Sequence, residues 1–204
     1  MYLFFDTETT GLPRNYDAPL SDLGNWPRVV QLAWLLTDDS GKELEKREFI
    51  VKPEGFTIPP QASAIHGITT EIALKKGVRI SDVVASFDES LKSARMLVAH
   101  NFDFDQRILA AEYLRLGQSH DLLMKTASTC TMRRSTDFCR LPSERGGYKW
   151  PKLIELHTKL FGTDFASAHD AMADVQACAR CFFELRRQGV FGERASWSSP
   201  SAGM

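Results

Sequence analysis

The chain begins MYLFFDTETTGL, a short apolar run that ends in two carboxylates, Asp6 and Glu8, separated by one hydroxyl residue. Side chains on a strand alternate between its two faces. If Leu3 to Glu8 is extended, Asp6 and Glu8 therefore leave the strand on one side, one behind the other. Each anion then raises the cost of ionising its neighbour. A fold keeps such a pair where something positive sits between the two. The opening segment, with Leu3–Asp6 as a buried strand, so fixes both a sheet and a charged strand end.

The rest of the chain supplies partners for that strand. The stretch TGLPRNYDAPLSDLGNWPR is rich in Gly, Pro, Asn and Asp and reads as a long loop. VVQLAWLLTD and KELEKREFIVKP read as two further strands around a DSG turn, so the first three strands form an antiparallel meander. The segment PPQASAIHGITTEIALKKG breaks at His66–Gly67, and Thr69 or Thr70 caps a short helical turn. Apolar residues at Ile80, Val83, Val84, Phe87 and Leu91 have helix period, with Ser81 as the expected cap. MLVAHN is a fourth strand, FDQRILAAEYLRLG a helix ending at Gly117, and TASTCTM a fifth strand. A basic irregular segment, the helix KLIELHTKLFG and a last helix over DAMADVQACARCFFELRRQG complete the pattern. A meander followed by strand–helix alternation predicts an α/β fold: a mixed sheet, three antiparallel strands plus parallel ones, flanked by helices. Residues 1–190 read as one domain, and 191–204 have the composition of a disordered tail.

With 25 Lys and Arg against 26 Asp and Glu, the chain has a formal net charge of -1. Contact with a polyanion must therefore come from a local patch. No apolar run approaches a membrane span, and Asp6 and Glu8 interrupt any secretory apolar region almost at once. Four cysteines in 204 residues fit a reduced, cytoplasmic protein rather than a disulfide framework.

Two more stretches carry acids. In AHNFDFD, at a strand-to-helix junction, Asp103 and Asp105 are both candidates, and a helix start favours an anion. Either could instead be a simple cap. In SAHDAMADVQACARC, Asp170 and Asp174 share a helix face, with His169 just before them. Asp174 heads a stripe with Cys178, Cys181 and Leu185 that is otherwise apolar and should face the sheet. A carboxylate there is costly unless neutralised. Asp6, Glu8, Asp105 and Asp174 together would balance two divalent cations, and hard oxygen ligands favour Mg2+ or Mn2+ over zinc. Two such ions about 4 Å apart are a known device for phosphodiester cleavage.

DTETTGL, IHGIT, HNFDFD and AHDAMADV, in this order and spacing, resemble the DEDD superfamily of 3′→5′ exonucleases, and within it the histidine-bearing, DnaQ-like (DEDDh) branch. That branch includes the proofreading epsilon subunit of bacterial DNA polymerase III, RNase T and oligoribonuclease. The resemblance covers roughly residues 2–188 and implies an RNase H-like fold. It matches the family motifs to Asp6, Glu8, Asp105, His169 and Asp174, choosing Asp105 over Asp103 and Asp174 over Asp170. The implied roles are a bridge between two metals for Asp6, and ligation of the metal that carries the attacking water for Glu8 and Asp174. Asp105 helps hold the second metal, largely through water, and His169 takes the water's proton. The implied product is a nucleoside 5′-monophosphate from a free 3′ end.

The resemblance also places Thr9 to Leu12 along the terminal nucleotide, with Leu12 as a wedge beneath a base. Ile65, His66, Asn101 and Phe102 are placed near the scissile end. Core packing is the competing role for Leu12 and Ile65, and a turn or cap for His66. Residues 130–152 hold Arg133, Arg134, Arg140, Arg145, Lys149 and Lys152 against Asp137 and Glu144, a local net of +4 with Tyr148 and Trp150 interleaved. Cations with aromatics suit a single-strand groove. Arg133 and Arg134 are the expected contacts, while Trp150 is expected to pack at the sheet edge. Cys178 and Cys181 fall on the apolar stripe, which makes them buried small residues rather than a zinc pair. The 13–28 insertion could rim the site, with Trp26 either stacking on a base or anchoring the loop.

The expected function is metal-dependent 3′→5′ exonuclease activity on single-stranded or frayed ends. DNA proofreading or repair leads, and RNA trimming is the alternative. A DNA polymerase subunit is a candidate partner. A non-catalytic nucleic-acid- or polymerase-binding module is the reading from a different class.

Overall fold

The computed structural model describes residues 1–165 and 170–191. Among them, β1 (Tyr2–Thr9), β2 (Val29–Thr37), β3 (Glu43–Ile50), β4 (Met96–Ala99) and β5 (Ser128–Cys130) form one sheet in the order β3-β2-β1-β4-β5. The first three strands pair antiparallel, and β4 and β5 join in parallel, as the pattern of the sequence predicts. The helices are α1 (Pro60–His66), α2 (Thr70–Lys76), α3 (Ile80–Ser93), α4 (Phe102–Arg115), α5 (Asp121–Lys125), α6 (Thr131–Arg134), α7 (Thr136–Cys139), α8 (Leu153–Phe161) and α9 (Ala171–Arg187). No helix among the described residues is long and apolar enough to cross a membrane.

Alternation along β1 divides the core in two. Leu3 and Phe5 join Trp34, Phe87, Ile108 and Tyr113 on the face covered by α3 and α4. Tyr2 and Phe4 join Val175, Cys178, Phe182 and Leu185 on the face covered by α9. Trp34 is fully buried, and its indole N–H donates to Ser90 Oγ at 2.9 Å, which satisfies the polar end of the ring. Phe191 is buried against Phe182, so the packed chain runs one residue into the stretch read as tail; the rest, 192–204, lies outside the described residues.

Several local expectations change. β1 runs from Tyr2 to Thr9, longer than the buried strand read from the sequence, because β2 pairs with it along that whole length, while β4 pairs only with Tyr2, Leu3 and Phe4. Arg79, not Ser81, stands at the N-cap of α3 and pairs with Asp82, which leaves Ser81 inside the first turn. Thr69 does cap α2, accepting from Ile72 N at 3.2 Å. The break at His66–Gly67 is a left-handed cap, with Gly67 at φ +75°. The basic segment is not wholly irregular, since α6 and α7 lie within it.

The insertion is braced to α4 through Glu112, which is almost fully buried. Glu112 Oε1 accepts from Arg28 Nε at 2.8 Å and Val29 N at 3.1 Å, and lies 3.1 Å from Arg115 Nη1. Glu112→Gln keeps the size but removes the charge that holds two guanidinium groups. We expect it to lower stability by about 1.5–3 kcal/mol, read as a lower urea midpoint at constant m-value.

Candidate active site

The alternation that splits the core also builds the site. Asp6 and Glu8 continue the Tyr2/Phe4 face of β1 and so point toward α9, whereas Thr7 continues the Leu3/Phe5 face toward α4. Asp174 sits in the first turn of α9. One carboxylate oxygen from each of Asp6, Glu8 and Asp174 lies within 4.8 Å of the others, a grouping that could hold a metal ion. Two contacts seat the start of α9. Asp170 caps the helix by accepting from Ala173 N at 3.0 Å, and Gln31 Oε1 on β2 accepts from Ala171 N at 3.4 Å. Gln31 also donates to Glu48 at 2.6 Å, which ties the helix start to β3.

Asp105 stands beside this trio rather than in it. It is buried, and its Oδ1 accepts from Thr7 N at 3.0 Å and Thr7 Oγ1 at 2.7 Å. Thr7 thus links the second acidic motif to the first. Asp103 is exposed and paired with Arg133 at 2.5 Å, turned out of the cluster. His169 lies outside the described residues.

Burial, followed by the charges of Asp105, Asp174 and Glu8, pushes the Asp6 carboxyl well above the usual carboxylate range. Burial and then Asp174 and Asp105 push Glu8 up to about 8. Burial raises Asp105 to about 7 against the hydrogen bonds from Thr7, which favour its charged form. Among the described residues, the charges that raise Asp6 and Glu8 all belong to other carboxylates. A hard divalent cation resolves that arrangement, and the all-oxygen donor set fits Mg2+ or Mn2+.

The raised values give a pH signature with a definite sign. Unfolded Asp and Glu release their protons near pH 4, whereas the folded, metal-free chain holds them until about pH 7 to 8 at Asp105 and Glu8. The folded state binds more protons across that window, so metal-free stability falls as pH rises through it and levels off above. In EDTA, the thermal midpoint is expected to drop from pH 5 to pH 8, and added Mg2+ should restore it more at pH 8 than at pH 5. A midpoint that rises across this range would contradict the assignment.

The remaining residues singled out in the sequence scatter in an informative way. Leu12 is 70% exposed and Ile65 is 60% exposed, so neither is core packing. Thr9 Oγ1 donates to Gly11 O at 2.6 Å and shapes the turn that carries Leu12. His66 makes a turn contact, its Nδ1 accepting from Ile68 N at 3.1 Å. Asn101 occupies the N-cap position of α4 with φ +70°, a left-handed conformation that Asn tolerates, and makes no side-chain capping bond. Phe102 is buried, with its ring 5.8 Å from Phe5, so it packs the junction from within. Arg134 points away from its neighbour Arg133, because consecutive helical residues diverge by about 100°. It donates to Phe191 O at 3.0 Å instead. Trp26 is an anchor, buried with its indole N–H on Pro19 O at 3.1 Å. Trp150 reverses expectation: it is 58% exposed and does not pack at the sheet edge. Cys178 and Cys181 are buried, and burial raises both thiols, Cys181 to about 12.

Sequence reasoning passed over Thr7, Gln31, Glu48 and His100. A polar residue inside the strand VVQLAWLLT was the available signal for Gln31. His100 joins β4 to the basic segment through Thr131 Oγ1 and Pro151 O, both at 3.0 Å, and burial lowers it to about 4. It is therefore neutral at ordinary pH and serves as a brace.

Comparison with known proteins agrees with this geometry. The RNase T family model, described as exonuclease, matches residues 3–182. An uncharacterised exonuclease, CP81, of Escherichia phage 186 is 30% identical over 193 residues, covering 92% of this chain and 89% of that protein. The DNA polymerase III epsilon subunit of Treponema pallidum is 30% identical over 178 residues, covering 87% of this chain and 73% of the subunit. The fold matches E. coli exonuclease I, crystallised with a dT13 oligonucleotide, with a TM-score of 0.74 at 22% identity. That match covers 92% of this chain and 41% of exonuclease I, so the chain spans about two fifths of that structure. The sheet order, the acid-bearing strand end and the matched length agree: the chain belongs to the exonuclease family, as a 3′→5′ exonuclease of its DnaQ-like branch with an RNase H-like fold.

Proposed function

We propose that the protein removes nucleotides from the 3′ end of single-stranded or frayed DNA and releases nucleoside 5′-monophosphates. The observation that carries this reading is the trio Asp6, Glu8 and Asp174, drawn from the first strand and the last described helix to within 4.8 Å. Asp6, Glu8 and Asp174 would hold the divalent cations of a two-metal site, and Asp105, fixed by Thr7, would hold its share largely through water. Such ions supply Lewis-acid activation of water and charge for the leaving oxygen.

The chain's own groups do the rest. His169 takes the proton of the attacking water, a task suited to imidazole near neutral pH. Thr9 and Gly11 hold the turn that carries exposed Leu12, which would meet the terminal base, and exposed Ile65 would contact the same end. Arg133, from the basic segment, is paired with Asp103 in the first turn of α4.

The epsilon-subunit relative and the oligonucleotide bound to exonuclease I favour DNA and a polymerase or repair setting, with RNA trimming as the alternative. The four thiols are unpaired, in keeping with a reducing, cytoplasmic setting. The test is one gel. Wild type and Asp174→Ala are incubated with 5′-labelled DNA and RNA single strands of one sequence, in Mg2+, Mn2+ or EDTA. A ladder shortening from the 3′ end, dependent on metal and on Asp174, is the expected result, with DNA the faster substrate. Binding without any ladder would point to a non-catalytic module.

A further inference from the structure

A second concavity opens beside the first turn of α4. Asp105 faces β1 through Thr7, whereas Asn101, Phe104 and Arg107 line this cleft of about 440 Å3. Its rim carries two large aromatics from two irregular segments. Tyr16, from the insertion, is 51% exposed, and Trp150, from the basic segment, is 58% exposed.

Neither segment is loosely held. Asn15 and Asn25 exchange hydrogen bonds of 2.8 and 2.9 Å across the insertion, Trp26 fastens it to Pro19, and Arg107 Nη1 donates to Tyr16 O at 3.2 Å. On the other wall, Lys149 N donates to Leu141 O at 2.9 Å, and Pro151 O is bound by His100, the residue preceding Asn101. The chain is thus braced on both sides of the cleft while it leaves two aromatic rings in water. That costs apolar burial at each ring.

The charges of the lining cancel. Arg107 and Arg133 face Asp17 and Asp103, and Arg133 is already paired with Asp103 while its guanidinium stands 5.6 Å from the Trp150 ring centre. A phosphate gains little from such a lining, whereas a flat, uncharged heteroaromatic ring gains stacking and edge hydrogen bonds. The lining shares no residue with the acid cluster, so the two sites are built from different side chains.

We propose that this cleft is a stacking site for one unpaired base of the strand leading to the scissile end, upstream of the terminal nucleotide, with Tyr16 and Trp150 as its walls. The proposal rests on the exonuclease reading for the direction of the strand, but the contact itself is measurable without turnover. A duplex end would have to open to fill the cleft, which makes it a selector for single-stranded or frayed ends.

The experiment is binding of a 5′-fluorescein-labelled DNA 12-mer, by anisotropy in EDTA. Alongside it, hydrolysis of the p-nitrophenyl ester of thymidine 5′-monophosphate, in Mn2+, reports the acid cluster alone. Tyr16→Ala and Trp150→Ala are expected to weaken 12-mer binding roughly 5- to 150-fold each, and Trp150→Phe to retain most of the affinity. An abasic site at one position near the 3′ end should weaken the wild type by a similar factor and add little in Trp150→Ala. Unchanged binding in both alanine variants, with thermal midpoints preserved, would overturn the cleft. If Trp150→Phe is as weak as Trp150→Ala, ring stacking is likewise refuted. Failure of the wild type to hydrolyse both the ester and the 12-mer would overturn the exonuclease reading, and the binding result would still decide the cleft.

Discussion

Asp174→Ala is expected to remove turnover while leaving the fold intact or firmer. Asp174 supplies one of three oxygens that converge within 4.8 Å. Losing it takes away several kcal/mol of charge stabilisation at the cation site, about 10³-fold or more in rate at 1.36 kcal/mol per decade. The sign on stability is opposite to that of an ordinary buried substitution. The Asp174 charge helps push Asp6 and Glu8 up, so its removal relieves both in the metal-free protein. The measurement is paired: single-turnover rate in Mg2+, and thermal midpoint in EDTA. A wild-type rate would sink the metal assignment, and a large fall in the midpoint would make Asp174 a structural residue.

The second large effect belongs to His169. His169→Ala is expected to slow the chemical step by roughly 10²–10⁴-fold, the usual contribution of a positioned general base, with little change in single-strand binding. The pH–rate profile separates this role from a structural one. The wild type should show an acid limb set by an imidazole, whose ordinary value is near 6.5, and the variant should lose that limb. A variant that binds poorly, or that keeps the limb, would assign the histidine to structure.

Much of this site was legible because chemistry conflicted with pattern. Two acids at the end of an apolar strand and one at the head of an apolar helix stripe are each expensive, and the sequence shows that expense directly. The sheet and its longer helices were legible for a related reason, since their periodicity extends over two turns or more. The one-turn helices α5, α6 and α7 span five, four and four residues, too few to show a period. The choice of Asp105 over Asp103 needed the motif, because only the fold reveals that one meets Thr7 and the other Arg133. Arg134 and Trp150 mark the same limit from the other side. Composition placed both in a basic, aromatic segment, and the turns of α6 and the brace at Pro151 decided where each ring or guanidinium points. Gln31 and Glu48 were hidden because their partners lie on three different elements.

The trio joins residues 6 and 8 to residue 174, and the same strand and helix share the buried aromatics Tyr2, Phe4 and Phe182. Contacts so distant in sequence form late, after the cost of closing the intervening chain has been met. A chain in which α9 is not docked on β1 therefore has the acids but not their convergence. On the two-metal reading proposed above, hydrolytic competence would require α9 to be docked on β1, so activity would report on completed folding.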